Sequence, residues 1–272
     1  MTEPSARERA ALRLIDAAES GVPCDPIIDL LPDGTVDDAY DVQQQVIAMT
    51  RDGGGRDGGA AGARRVGRKI GLTSPVVQQM FGVDRPDFGV LFADMAIGDS
   101  EPVPATRLLQ PRVEAEVAFV LKSDLPERPV IASDVMRATD FVVAAIEIVD
   151  SRIKDWKISI VDTVADNASS GMFVLGGAPK RLVDIDDLRA CEMAMAVDGG
   201  DVVSSGVGAA CLGSPINAVV WLANAVAARG APLQAGEVIL SGSLGPLVTV
   251  DRGRTYAATI TGLGSVRATF EP

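Results

Sequence analysis

The 272-residue chain is 47% hydrophobic, enough for a substantial core, and its length permits one large domain or two small ones. A formal charge of −12 argues against nucleic acid and anionic membrane as partners, and the absence of histidine excludes Ser–His and Cys–His nucleophiles and every His-ligated metal site. Chemistry here must use carboxylates, lysine, hydroxyls, backbone groups or an oxygen-ligated metal, and an anionic substrate needs a local positive charge against the acidic field.

The first segment, roughly 4–20, is rich in Ala, Leu, Arg and Glu and closes at Gly21-Val22-Pro23, which reads as a surface helix. This charged N-terminus has no signal-peptide core. No apolar run is read as reaching the ~18 residues of a membrane helix, so the expectation is a soluble, cytoplasmic protein. Cys24, Cys191 and Cys211 have no C-x-x-C spacing and are expected to be reduced and buried. A second helix is predicted from Thr35 as N-cap, with Asp38 three residues on and Val36, Ala39, Val42, Val46 and Met49 as its buried stripe. Residues 51–65, RDGGGRDGGAAGARR, read as a flexible surface loop without a phosphate-loop pattern.

From Val66 the texture changes to short apolar runs separated by turn signals. Strands are predicted over 67–72, 113–121, 141–149, 191–197, 237–242, 247–251 and 255–261, with hairpin turns at Asp198-Gly199-Gly200 and Asp251-Arg252-Gly253. A helix is predicted over 215–229, capped by Ser214, with Pro215 at its first position and Gly230 past its end. Together these imply an α+β domain with a mostly antiparallel, barrel-like sheet.

VEAEVAFVL (113–121) poses the chemical question. In an alternating strand Val113, Ala115, Val117, Phe119 and Leu121 share one face, while Glu114 and Glu116 open the other, about 7 Å apart. A third acid, Glu147 in FVVAAIEIV, faces away from Ile146 and Ile148. An unpaired buried carboxylate costs several kcal/mol, and neighbouring acids raise each other's pKa unless a cation holds them. Two readings stand side by side: a hard divalent cation such as Mg2+ or Mn2+, or salt bridges at a strand end with Arg112 or Lys122. Lys69, within GRKIGLTS (67–74), is either chemical or an amphipathic lysine at a strand edge with its amine in water. VDTVADNASSG (161–171) crowds Asp162, Asp166, Asn167 and Ser170 and by itself reads as a loop and helix cap.

GRKIGLTS, QQMFGVDRPDFGVLFADM, LQPRVEAEVAFVL, IEIVDSRIKDWKI, VDTVADNASSG, CLGSPINAVVWLAN and LSGSLGP, in that order, resemble the 2-keto-4-pentenoate (2-hydroxypenta-2,4-dienoate) hydratases of the fumarylacetoacetate-hydrolase superfamily. The resemblance implies an α+β fold, a fumarylacetoacetate-hydrolase-like rolled mixed β-structure with peripheral helices. It divides the chain into an N-terminal helical segment with a Gly-rich loop at 1–65, the loop looking like an insertion, and a catalytic domain at 66–272. It implies that Glu114, Glu116 and Glu147 bind a divalent cation, Mg2+ or Mn2+. It makes Lys69 catalytic, with Asp87 of P-D-F-G as its partner, and places Ser241, Gly242, Ser243 and Leu244 along the substrate pocket.

The implied reaction is hydration of 2-hydroxypenta-2,4-dienoate, a small anionic substrate, through its 2-oxo-3-enoate tautomer to 4-hydroxy-2-oxopentanoate, in the meta-cleavage degradation of aromatic compounds. Burial and the cation are expected to lower the pKa of Lys69. The resemblance further implies a homo-oligomer, pentamer or decamer, and association with a pathway aldolase or decarboxylase. Alternatives are a 4-oxalocrotonate decarboxylase, an acylpyruvate-type C–C hydrolase, and a non-catalytic metal-binding or scaffolding protein. PDFGVLFADM, SRIKDWKI and GSLGP favour the hydratase.

Overall fold

Alternation of apolar residues from Val66 onward is realised as two mixed sheets in the computed structural model, which describes residues 3–51, 64–127 and 129–272. The strands are β1 (Arg65–Gly71), β2 (Asp87–Phe92), β3 (Ala96–Ile97), β4 (Pro102–Val103), β5 (Arg112–Leu121), β6 (Thr139–Val149) and β7 (Ser170–Leu175). They continue with β8 (Glu192–Val197), β9 (Val202–Val207), β10 (Val238–Ser243), β11 (Val248–Thr249), β12 (Thr255–Ile260) and β13 (Gly264–Phe270). The helices are α1 (Ala6–Ser20), α2 (Val36–Thr50), α3 (Pro75–Phe81), α4 (Ala132–Ala138), α5 (Ile160–Ala165) and α6 (Pro215–Ala227).

One sheet runs β2-β1-β10-β5-β6-β7-β3, with β11 also on β5, and the other β4-β13-β12-β8-β9. Pairing is mostly antiparallel, as expected, with parallel pairs at β1/β10, β3/β7 and β4/β13. Strand β5 is buried on both faces. Val113, Ala115, Val117, Phe119 and Leu121 enter the main core, while Ala118 joins Val90, Val143, Ala145, Phe173 and Leu240 in a second apolar cluster. Each large apolar side chain so buried contributes about 1.5–3 kcal/mol. The two glutamates therefore open a face that continues into apolar packing.

Helix α2 begins as predicted, with the Thr35 hydroxyl accepting from the Asp38 N–H at 3.1 Å and the Asp38 carboxylate accepting from the Thr35 N–H at 2.8 Å. Its buried face is shifted from the predicted stripe. Tyr40, Gln43 and Ile47 are buried beside Ala39 and Val42, whereas Val36, Val46 and Met49 pack only at the margin. Helix α6 has its Ser214 cap, Pro215 start and left-handed Gly230.

Not every expectation holds. Asp251-Arg252-Gly253 is not a hairpin: β11 pairs with β5, but β12 pairs with β8 and β13, so the turn hands the chain from one sheet to the other. Asp198-Gly199-Gly200 does join the antiparallel β8 and β9. Gly208–Ala227 reaches the length and hydropathy of a membrane span, contrary to the expectation of no such run. Only Pro215–Ala227 of it is α-helix, and Ala218, Val219, Leu222, Ala223 and Val226 bury its face, as in the core helix of a globular fold. Of the Gly-rich loop at 51–65, residues 52–63 lie outside the described residues. The cysteines are free, Cys191 and Cys211 buried and Cys24 half-buried.

Candidate active site

The antiparallel register of β5 and β6 sets Glu114 directly opposite Glu147 and Glu116 opposite Ala145. Facing residues in such a pair project to the same side. The three glutamates accordingly converge, each offering an oxygen within 4.8 Å of the others. Glu116 and Glu147 are buried and Glu114 half-buried. Glu116 Oε2 accepts the Gly242 N–H at 2.7 Å, but Glu116 Oε1 and Glu147 Oε2 have no hydrogen-bond partner. Neither Arg112 nor Lys122 is the salt-bridge partner: Arg112 instead stacks on Trp156, 4.3 Å from the ring centroid, and Lys122 is exposed.

Burial, reinforced by Glu147, pushes the Glu114 carboxyl up to about 7 against the pull of Lys69. Burial and the two neighbouring glutamates hold Glu116 well above its ordinary value, despite the Gly242 N–H. Such a cluster is short of positive charge. Three convergent carboxylates, with orphaned oxygens on Glu116 and Glu147 and no histidine or cysteine in the group among the described residues, fit a hard divalent cation such as Mg2+, Mn2+ or Ca2+.

Lys69 lies mid-strand in β1, between Gly89 of β2 and Leu240 of β10, so it is an interior lysine and not an edge lysine in water. Its side chain is 3% exposed, and its ammonium lies 2.9 Å from Glu147 Oε1. The expected fall in its pKa is not found. Burial does lower it, but the Glu147, Asp87 and Glu114 carboxylates outweigh burial and hold Lys69 above its ordinary value. A dication held by Glu114 and Glu147 would offset their push on Lys69 and leave only that of Asp87 against burial.

Asp87 opposes Gly71 in the β1/β2 register. A Cβ at Gly71 would lie 2.2 Å from Asp87 Oδ1, so the second glycine of G-R-K-I-G clears space for this carboxylate. Burial pushes Asp87 up to about 6, with Lys69 and the backbone N–H groups of Asp87 and Gly71 opposing. Asp87 also lines a cavity of about 1080 Å³ walled by Tyr40, Phe88, Trp221, Arg85 and Arg229. The buried cluster thus has an acid at a cavity wall.

The Ser241–Leu244 stretch meets the cluster through its backbone. β10 slips register against β5 between Leu240 and Ser243, and Gly242 takes φ 104° with no room for a Cβ beside Thr73. Ser241 is fully buried, and its hydroxyl has no partner. The Ser243 hydroxyl donates to the Gly245 carbonyl at 2.6 Å, and the Leu244 side chain packs in the main core.

Sequence reasoning missed the scaffold of 150–170. Arg152 is half-buried with its Nε 2.5 Å from Asp166 Oδ1, and it donates to the Ser170 and Asp166 carbonyls. Asp150 accepts the N–H groups of Leu109 and Gln110, and Asp162 those of Ile27 and Ile28. Asn167, Ala168 and Ser169 all have left-handed φ, at 54°, 52° and 53°, a conformation costing about 1–2 kcal/mol per non-glycine residue. The sequence signal was the density of Asp and Asn beside apolar residues, which a solvent loop does not need.

A profile for the C-terminal region of fumarylacetoacetate (FAA) hydrolase matches residues 66–271. The chain belongs to the fumarylacetoacetate hydrolase family. Within that family it is 52% identical to a 2-keto-4-pentenoate hydratase of Burkholderia vietnamiensis, over 99% of both chains. It is 43% identical to a 2-hydroxyhexa-2,4-dienoate hydratase of Comamonas testosteroni, again over 99% of both. Its fold superposes on a 4-oxalocrotonate decarboxylase from Pseudomonas putida G7, complexed with magnesium and adipate, at TM-score 0.87 and 33% identity, covering 99% of this chain and 100% of the other.

Proposed function

We propose that this protein is a divalent-metal-dependent hydro-lyase that adds water to 2-hydroxypenta-2,4-dienoate, giving 4-hydroxy-2-oxopentanoate in meta-cleavage degradation of aromatic compounds. The observation that carries this is the identity of about half, end to end, with a named hydratase. It is joined by an acidic triad whose orphaned oxygens fit a hard cation. Glu114, Glu116 and Glu147 would hold Mg2+ or Mn2+. When bound, the cation supplies Lewis acidity toward the substrate's oxygens and reverses the local acidic field.

The remaining work falls to the chain's own groups. Lys69 moves the proton in ketonisation: the 2-hydroxyl gives up its proton and C5 gains one, leaving a 2-oxo-3-enoate. Conjugation with the new ketone makes C4 electrophilic, and water adds there. Asp87, across the strand pair from Gly71, limits where the lysine amine can go. Ser241 offers the free hydroxyl of the 241–244 wall, Gly242 fixes Glu116, and Ser243 and Leu244 anchor the turn. We take the catalytic unit to be 66–272, with 1–65 as a helical preface, and assign the protein to the cytoplasm as a homo-oligomer. The unpaired cysteines fit a reducing compartment.

Decarboxylation is the second reading, favoured by the close superposition on a decarboxylase. The deciding experiment supplies 2-hydroxypenta-2,4-dienoate and 2-oxo-3-hexenedioate separately with Mg2+. Loss of the dienoate absorbance with formation of 4-hydroxy-2-oxopentanoate is expected. CO2 release from the diacid far faster than any hydration would move the assignment to the decarboxylase.

A further inference from the structure

The outer edge of the strand bearing Asp87 is held by side chains. β2 is the terminal strand of its sheet. One of its edges pairs with β1, placing Gly89 opposite Lys69. Among the described residues its other edge has no strand beside it, yet the outward backbone groups of Phe88 and Val90 are all satisfied. The Phe88 N–H donates to the Tyr40 hydroxyl at 3.2 Å, and the Phe88 carbonyl accepts from Gln43 Nε2 at 3.1 Å. The Val90 N–H donates to Asn167 Oδ1 at 2.8 Å, and the Val90 carbonyl accepts from Asn167 Nδ2 at 2.9 Å. One amide side chain therefore occupies both backbone groups of Val90, as a neighbouring strand would.

The same residue also closes on Gly89. A Cβ at Gly89 would lie 2.4 Å from the Asn167 carbonyl oxygen and 2.6 Å from the Ser170 hydroxyl. Asn167 opens the run of three left-handed residues, and asparagine is among the non-glycine residues most tolerant of that conformation. Behind it, Asp166 is pinned by Arg152 and the Asn167 carbonyl accepts the Ser170 hydroxyl at 2.7 Å. The turn is thus built to present one amide and one carbonyl to the two residues of β2 that lie opposite Arg68 and Lys69.

We propose that Asn167, supported by Gln43 and Tyr40, is a positioning residue for Lys69: it stands in for the missing edge strand and fixes β2, hence the Lys69–Asp87 geometry, without touching the substrate. The inference rests on the hydratase reading for its kinetic consequence. Misplacement of a reacting group by about 1 Å costs ~10²-fold in rate, so Asn167→Ala is expected to lower kcat on 2-hydroxypenta-2,4-dienoate by that order. KM and the Kd for Mn2+, read by the EPR signal of the free ion, should stay unchanged.

The loss should be much smaller on 2-oxopent-3-enoate, where the proton step is already done, and Asn167→Ala should add little in a Lys69→Ala background. Asn167→Gly keeps the left-handed backbone and lacks the amide, so it should lose as much as alanine. Asn167→Asp keeps the acceptor for the Val90 N–H but not the donor, and serves if alanine does not fold. Full activity in Asn167→Gly, equal losses on both tautomers, or additive losses with Lys69→Ala would overturn the proposal. Hydrogen exchange at Val90 gives a readout independent of turnover and should accelerate in Asn167→Ala. If wild-type protein turns over neither tautomer, the hydratase reading fails, and unchanged Val90 exchange would then overturn the clamp as well.

Discussion

Lys69 Nζ and Glu147 Oε1 stand 2.9 Å apart with side chains 3% and 1% exposed, a buried ion pair between the interior strand β1 and the acidic strand β6. Removing one partner of such a pair strands the other charge. The ammonium is thus the protein's own partial answer to the acidic cluster, and a dication at the triad would share Glu147 with it.

Glutamine at any one of Glu114, Glu116 or Glu147 keeps the shape and removes a charged ligand. Cation affinity and turnover should both collapse, measured by calorimetric titration with Mg2+ or Mn2+ and by loss of the dienoate absorbance. Glu114→Gln that retains full activity after chelation and dialysis would contradict the triad assignment.

Lys69→Ala should lower kcat by ~10²–10⁴, the worth of a positioned acid–base group. Cation affinity should not fall, because a competing positive charge has been removed from Glu147. Arginine should not rescue, since its pKa is too high to release a proton and its planar head is bulkier. Partial recovery on 2-oxopent-3-enoate is expected. Equal loss on both tautomers would tie the lysine to water addition or binding.

Stability should respond to pH and metal together. Asp87 and Glu114 are pushed up to about 6 and about 7 in the folded state, chiefly by burial. Their ordinary values are near 4, so between about pH 4 and 7 the folded protein holds more protons than the unfolded chain. Stability contributed by these groups is therefore present at low pH and lost as pH rises through 6–7. The gain in Tm from saturating Mg2+ should widen across that window, and Glu114→Gln should narrow it. A metal-induced gain that is flat from pH 5 to 8 would refute the linkage.

Gly242→Ala tests how the triad is held. The residue sits at φ 104°, and a Cβ would lie 2.4 Å from Thr73. The strain alone is worth about 1–3 kcal/mol, and any shift of the backbone pulls its N–H from Glu116. Both a lower Tm and weaker cation binding are expected. Unaltered cation affinity in a destabilised variant would separate the turn from the metal centre.

Much of this was legible along the chain because it depends on neighbours in sequence. Side chains two apart on a strand share a face, which alone put Glu114 with Glu116 opposite the buried Val113, Ala115 and Val117. Local capping chemistry likewise marked Thr35 with Asp38 and Ser214 with Pro215. The absence of histidine narrowed the ligands to oxygen before any fold was known.

Only the tertiary structure decided the rest, since strand order and register bring together residues far apart in sequence. Glu147 meets Glu114 through the β5/β6 register. Lys69 is interior because β10 returns from the far end of the chain to pair with β1. Its pKa direction follows from which carboxylates surround it, not from burial alone. Asp251-Arg252-Gly253 has the composition of a hairpin, but the sheet partners of the flanking strands make it a crossing between sheets. Gln43 has no place in the predicted apolar stripe of its helix, and Asn167 reads as one more loop residue. Their partners are the backbone groups of Phe88 and Val90, and a backbone group looks the same in every sequence.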